Sequence, residues 1–219
     1  MSIKAVAFDV DGTLYPDLLM YMNSVPFALL HLKLLFAFAR VRKRLRESTA
    51  GDGFRSAQSG LLAAELGIDA ARAEMLIEKH IYTEWESTLK RIRPFRHLRE
   101  ALQALKRAGL KLALLSDFPI GRKLEYLGLD GFWDFTLCTE DVGFLKPHPK
   151  PFRELVERLS VSPEELVYVG NHYQYDVLGA RGIGARAAHL TRRAATGSAA
   201  DFSFWDYRDL SAWILEARL

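Results

Sequence analysis

The chain has 219 residues, 49% of them hydrophobic, and a single cysteine. That length and apolar content exclude a disordered chain and leave room for one large domain or for a domain carrying an insertion, while a lone Cys138 excludes an internal disulfide and a cysteine-based metal cluster. Thirty Lys and Arg against 27 Asp and Glu give a net charge of +3, too even a balance to favour a nucleic-acid partner and one compatible with a small anionic substrate.

Near the start, Val6, Ala7 and Phe8 make an apolar run too short for a helix, which reads as a buried strand stopped by Gly12. Asp9 and Asp11 then fall at the strand's carboxyl end, where open α/β sheets hold their ligands. Side chains two apart on an extended chain share one face, so both carboxylates can reach one metal ion or phosphoryl group; the alternative is an acidic strand end leading into a turn. Two such carboxylates repel unless a cation or a proton relieves them. A strand beginning at residue 3 leaves no room for a removable leader, and with the single thiol it sets the expectation of a cytoplasmic protein.

Residues 17–93 read as helical throughout. The stretch 18–39 is apolar apart from Asn23, Ser24, Pro26, His31 and Lys33, interruptions that argue against a membrane-spanning helix. One or two helices are expected over 18–46, with Pro26 breaking or restarting them, and the run Arg40, Arg42, Lys43, Arg44, Arg46 suits a helix C-terminus. A buried or oligomer-forming helix is favoured over an amphipathic one lying on an anionic membrane surface. A loop at 51–53, with Asp52 at its centre, precedes a helix at 56–66 that Gly67 ends. Asp69 then reads as the N-cap of a helix whose positions Ala73, Leu76, Ile77, His80, Ile81, Trp85 and Leu89 follow three-and-four spacing. Arg42, Lys43, Arg44 and Arg55 could touch an anionic substrate, but a solvated helix end and loop is the favoured reading. His31 and His80 read as isolated histidines.

From Pro94 the pattern alternates. A helix at 98–108 precedes a strand at 110–115 with Ser116 and Asp117 at its end, a helix at 120–127, and a strand at 135–138 in which Cys138 is a buried structural thiol. Lys146 opens a loop stiffened by Pro147, Pro149 and Pro151, and a helix runs on to Leu159. Ser162 and Pro163 start a short turn before a strand at 166–169 and the loop Gly170-Asn171-His172. A helix at 174–181, a strand at 186–190, a mobile loop at 196–198, an edge strand at 202–205 and a terminal helix at 210–217 complete the chain. Apolar strands alternating with amphipathic helices predict a parallel sheet covered on both faces, with residues 1–16 and 94–219 as the core and 17–93 as an all-helical insertion.

Four clusters thus fall at strand carboxyl ends or just after them: Asp9 with Asp11, Ser116 with Asp117, Lys146, and Asn171 with Asp176. In a parallel sheet those ends share one edge. Together they offer a nucleophile, a second carboxylate, a hydroxyl, an ammonium group and oxygen donors for a hard cation, an inventory for phosphoryl transfer.

On these residues the chain resembles the haloacid dehalogenase-like (HAD) hydrolase superfamily. The matching motifs are Asp9-Val10-Asp11-Gly12-Thr13-Leu14, Leu114-Leu115-Ser116-Asp117, Lys146-Pro147, and Gly170-Asn171 with Asp176 and Gly179-Ala180. The resemblance implies a doubly wound, Rossmann-like parallel sheet with a helical cap inserted after the first motif, the cap closing over the site. It makes Asp9 the nucleophile that carries an aspartyl-phosphate and Asp11 the acid and base. Ser116 and Asp117, with nearby backbone N–H groups, hold the phosphoryl group, and Lys146 offsets its charge. Mg²⁺ is held by Asp9, the Asp11 carbonyl and Asn171, with Asp176 orienting a water or Lys146.

Asn171 departs from the aspartate commoner in the family, which predicts weaker metal binding. His172, beside it, is a minor candidate. Asp11 favours a phosphatase over a dehalogenase, whose members lack the second aspartate; a phosphomutase and a non-catalytic binding protein on the same fold stay open. The expected substrate is a small phosphorylated metabolite and the expected assembly a monomer or homodimer.

Overall fold

Strand β1 (Ala5–Phe8) is buried at all four positions, as a strand covered on both faces must be. In the computed structural model, which describes residues 2–47, 51, 53–193 and 195–217, β1 lies in the middle of a six-stranded sheet. Its companions are β2 (Lys111–Ser116), β3 (Phe135–Cys138), β4 (Leu166–Gly170), β5 (Arg186–Leu190) and β6 (Phe202–Phe204), in the order β3-β2-β1-β4-β5-β6. Every neighbouring pair is parallel. The chain winds to one side of β1 through β2 and β3 and to the other through β4, β5 and β6, so the switch point of the sheet lies beside β1.

Side chains alternate across the sheet. Val6 and Phe8 join a core with Leu98, Leu102 and Leu105 of the helix Leu98–Arg107 and with Tyr207 and Leu210 of the helix Tyr207–Glu216. Ala5 and Ala7 face the other way, onto Phe152 and Leu155 of the helix Pro149–Leu159. The expected doubly wound α/β sheet is what the chain forms. Tyr207 is wholly buried, and its hydroxyl donates to the carbonyl oxygen of Thr13 in the loop after β1.

Between β1 and residue 98 lie helices α1 (Asp17–Glu47), α2 (Phe54–Leu66) and α3 (Ala70–Leu76), the last continuing through a wider π-helical stretch, Ile77–Glu84. They enclose a third apolar core that includes Leu34, Phe38, Val41, Leu62, Ala73, Ile77 and Ile81. Gly67 ends α2 in a left-handed conformation, and Asp69 caps α3 by accepting from the N–H of Arg72, both as expected. Asp52 of the preceding loop lies outside the described residues.

Three expectations change. Helix α1 continues through Pro26 and leaves helical geometry at His31 instead (φ −124°, ψ 22°). A proline in a helix sacrifices the bond to the fourth residue before it, here Met22, on a turn where Met22 and Val25 face solvent; the His31 ring packs against those of Phe27 and His80. The helix expected at 120–127 is confined to Lys123–Leu127, because Gly121 has a positive φ of 49°, which no α-helix adopts. Residues 174–181 begin as a π turn, Tyr173–Val177, and only then become α-helical.

Helix α1 is long and apolar enough to cross a membrane by length and composition, and Leu18, Leu29, Leu30 and Phe36 stand exposed on it. Its other face packs Leu34, Ala37, Phe38 and Val41 into the cap core.

Candidate active site

Asp9 is the residue after β1, and its N–H still donates to the carbonyl oxygen of Val169 at 2.9 Å, which carries the sheet ladder one step further and fixes the carboxylate at the sheet edge. One carboxylate oxygen accepts from Lys146 Nζ at 2.7 Å and the other from Thr13 Oγ1 at 3.0 Å. Lys146, 3% exposed, also donates to Asp176 at 2.7 Å and to the Tyr168 hydroxyl at 3.2 Å. Burial alone would pull the ammonium down, but the charges of Asp176 and Asp9 outweigh it and hold Lys146 well above the usual lysine range. Burial pushes the Asp9 carboxyl up to about 7, with Lys146 drawing it back and Asp176 and Asp11 adding to the rise.

Asp11, two residues on, has its own ammonium: Lys123 Nζ lies 2.8 Å from both carboxylate oxygens, and the Tyr15 hydroxyl donates to one of them. The relief that two adjacent carboxylates need is therefore one lysine each. Lys123 escaped the reading of the sequence. The signal was its place on the buried stripe, four residues before Leu127, where an apolar residue is the rule.

The strand-end pair Ser116-Asp117 divides differently from expectation. Ser116 is wholly buried, with its Oγ accepting from the N–H of Phe118 at 3.2 Å. The Asp117 carboxylate accepts from Thr139 Oγ1 at 2.9 Å, from the Lys146 N–H at 3.0 Å and from Arg46. A carboxylate so engaged holds the Lys146 main chain and the cap, and Asp117 still lines the cavity where its contact to phosphate is expected. Cys138 is buried, and its thiol is pushed up to about 12 by that burial first and by Glu140 next, as befits a structural cysteine.

Asn171 Oδ1 accepts from Thr13 Oγ1 at 3.2 Å, and its Nδ2 donates to Asp17 at 2.9 Å. Asp17, the first residue of α1, thereby brings to this corner the negative charge that Asn171 lacks. Gly12 makes the approach possible: its φ is 81°, and a Cβ there would overlap both the Asn171 amide and the Asp17 carboxylate. Asp9 and Asn171 meet at Thr13 Oγ1, with Asp17 against the Asn171 amide, and these residues offer oxygen donors, the chemistry a hard cation such as Mg²⁺ requires, so the residues present fit that metal. Asp176 was expected beside the metal, orienting a water or Lys146. Both of its oxygens are taken, by Lys146 Nζ at 2.7 Å and by the His172 N–H at 2.9 Å, so it positions Lys146 and the loop at 170–172. The His172 ring stacks on Tyr175 with centroids 3.8 Å apart.

The cap meets this floor through two arginines. Arg42, read as part of a solvated helix end, is 4% exposed. It pairs with Glu140, donates to the Asp117 carbonyl oxygen and to Gln58, and lies 4.4 Å over the Phe118 ring. The correction follows from helix geometry, since Arg42 lies one turn from Phe38 and Leu45 on the buried stripe of α1. Arg44 and Arg55 do stay at the surface, near Glu65 and Glu78, and Lys43 is exposed. Arg46 reaches Asp117, the Lys146 carbonyl oxygen and the face of Tyr175.

Between floor and cap lies a cavity of about 280 Å³, with Asp9, Asp11, Lys123 and Lys146 below and Ile81, Tyr82 and Trp85 above. Carboxylates alternate with fixed cations on one wall and aromatic rings form the other, an enclosure suited to a small anionic molecule.

Residues 3–184 match the family of haloacid dehalogenase-like hydrolases. The chain is 30% identical over 199 residues to a glyceraldehyde 3-phosphate phosphatase of Methanopyrus kandleri, covering 87% of this chain and 84% of that protein. It is 27% identical to the pyrophosphatase PpaX of Bacillus mycoides over 87% and 85% of the two chains. Among solved structures, a HAD phosphatase from Thermococcus onnurineus superposes with a TM-score of 0.64 at 24% identity, over 99% of this chain and 100% of the other. A 2-haloacid dehalogenase from Pseudomonas syringae gives 0.69 at 23% identity, over 98% of each.

Proposed function

This chain belongs to the haloacid dehalogenase-like hydrolases, and from that premise we propose that it is a Mg²⁺-dependent phosphatase acting on a small phosphate monoester through a covalent intermediate on Asp9. The observation that carries the reading is the pairing of each aspartate with its own buried ammonium: Asp9 with Lys146 at 2.7 Å and Asp11 with Lys123 at 2.8 Å. A dehalogenase displacing halide has no leaving oxygen to protonate and no use for Asp11, whereas a phosphate ester needs both carboxylates.

In the first half of the reaction an Asp9 oxygen attacks phosphorus, the ester P–O bond breaks, and Asp11 gives its proton to the departing oxygen. In the second half Asp11 takes a proton from water as that water attacks phosphorus, and the Asp9–phosphorus bond breaks to release inorganic phosphate. Lys146 stays charged throughout and faces the added negative charge. When bound, Mg²⁺ would be held by Asp9 and Asn171 with Asp17 alongside, and it supplies neutralisation of the phosphoryl charge. The similarity to glyceraldehyde 3-phosphate phosphatase and the cavity of about 280 Å³ both favour a substrate of a few carbons.

The test is hydrolysis of p-nitrophenyl phosphate. Asp9→Asn abolishes it, and a chelator abolishes it in the unaltered protein; activity that survives both overturns the proposal. Capture of beryllium fluoride on Asp9, seen by ¹⁹F NMR, separates an enzyme from a binding protein that merely keeps the fold.

A further inference from the structure

The structure assigns a second metal site, in the cap: we propose that His31, His80 and Glu84 bind a divalent transition metal of the zinc class, apart from the Mg²⁺ corner. The two histidines, far apart in sequence, have ring centroids only 4.3 Å apart. His80 Nδ1 lies 2.6 Å and His31 Nε2 3.9 Å from the same oxygen of Glu84. One ligating atom from each of the three falls within 4.8 Å of the others. A tetrahedral zinc ion with bonds of about 2.0–2.1 Å needs ligand atoms roughly 3.3–3.5 Å apart, so side-chain adjustments on the order of 1 Å close the site and leave a fourth position for water.

Two departures from regular helix produce this meeting. Helix α1 loses helical geometry at His31, and the stretch Ile77–Glu84, which carries His80 and Glu84, is π-helical; π turns of this kind recur at functional sites. The donors decide the metal. Two imidazoles with one carboxylate favour zinc, cobalt, nickel or copper, while Mg²⁺ prefers oxygen alone. Glu84 is 40% exposed, His31 23% and His80 15% by side chain, which leaves an entry path from solvent.

A metal here would join α1 to the stretch that supplies Ile81, Tyr82 and Trp85 to the wall of the active-site cavity. Its consequence is a cap whose inner wall is stiffer when the metal is bound. None of the three ligands is among the residues lining that cavity, so occupancy is separable from catalysis.

The experiment is a Co²⁺ titration of the metal-stripped full chain in excess Mg²⁺, followed by visible absorption. One equivalent is expected to bind with the intense bands of four-coordinate Co²⁺, to be displaced by an equivalent of Zn²⁺, and to be indifferent to Asp9→Asn. His80→Gln and Glu84→Gln weaken it by at least about tenfold; Glu84, being exposed, gives a folded variant even if His80→Gln does not. At equal Zn²⁺ the melting temperature rises more in the unaltered protein than in Glu84→Gln. No saturable Co²⁺ binding in excess Mg²⁺, or binding lost in Asp9→Asn and kept in Glu84→Gln, overturns the proposal.

Discussion

Floor and cap, the two walls of one cavity, are held in place by different means. On the floor the charged groups around Asp9 are tied to the main chain or to a buried partner: Asp9 through the Val169 carbonyl and Lys146, Lys146 through its own N–H to Asp117, Asp176 through the N–H of His172. The cap touches that floor through the ends of long side chains, chiefly Arg42 and Arg46, and otherwise presents rings such as Trp85 and Tyr82. Reacting groups mounted on strand ends inherit the rigidity of the sheet, while a lid hung from arginines can change its lining without disturbing them.

Substitutions that strike one wall and spare the other test this division, and the largest effect belongs to the floor. Lys146→Met leaves Asp9 and Asp176 facing each other without a cation, and turnover of a phosphate ester falls by about 10²–10³-fold, read as kcat in steady-state assays. The cap counterpart is Arg42→Met, which strands Glu140 in a buried position. Its cost is about 3 kcal/mol of stability by urea denaturation, with a change in kcat well below that of Lys146→Met; equal losses of kcat in both would erase the distinction. Smaller again is Asn171→Asp, expected to tighten Mg²⁺ by about tenfold, or about 1.4 kcal/mol, in a calorimetric titration. Because Asp17 already stands 2.9 Å from the residue-171 amide, the same change lowers the melting temperature of the metal-free protein by placing two carboxylates together.

The mildest effect is in pH. The Asp9 carboxyl is raised to about 7, by burial above all, so between its ordinary range and pH 7 the folded protein keeps a proton there that the unfolded chain has lost. That contribution to stability is complete below pH 4 and disappears as pH rises through about 7. The cation needs the ionised form, so Mg²⁺ affinity rises with pH over the same interval and levels off above it. A flat titration between pH 5 and 8 would contradict the burial of Asp9.

The same division explains which residues could be read from the sequence. Asp9, Asp11 and Asn171 stand beside strand ends whose apolar runs and glycines are local signals, Lys146 opens a loop marked by its prolines, and β3 and β5 begin and end where those signals put them. The partners of these residues were hidden by distance along the chain. Lys123 meets Asp11 across 112 positions, Arg42 meets Glu140 across 98, and Asp17 meets Asn171 across 154. Arg42 reads in the sequence as part of a solvated helix end, and nothing local singles out Lys123 or Asp17 until tertiary packing chooses their neighbours. The π-helical stretch was equally invisible, since its apolar spacing satisfies an α-helix as well.

The central place of β1 has a consequence for how the protein is made. The strand that leads into both aspartates leaves the ribosome well before its partners, since the strands on its two sides are β2 and β4, which follow more than a hundred residues later. Until then both of its edges are open to pairing with other chains, and a nascent chain with long-range sheet contacts folds slowly. The loop beyond it is fastened later still, when Tyr207 arrives to bind Thr13. A translation product halted before that residue holds every catalytic group proposed above but lacks the clasp on the loop that presents them, so a ribosome paused there carries an enzyme complete in its chemistry and not yet fixed in its geometry.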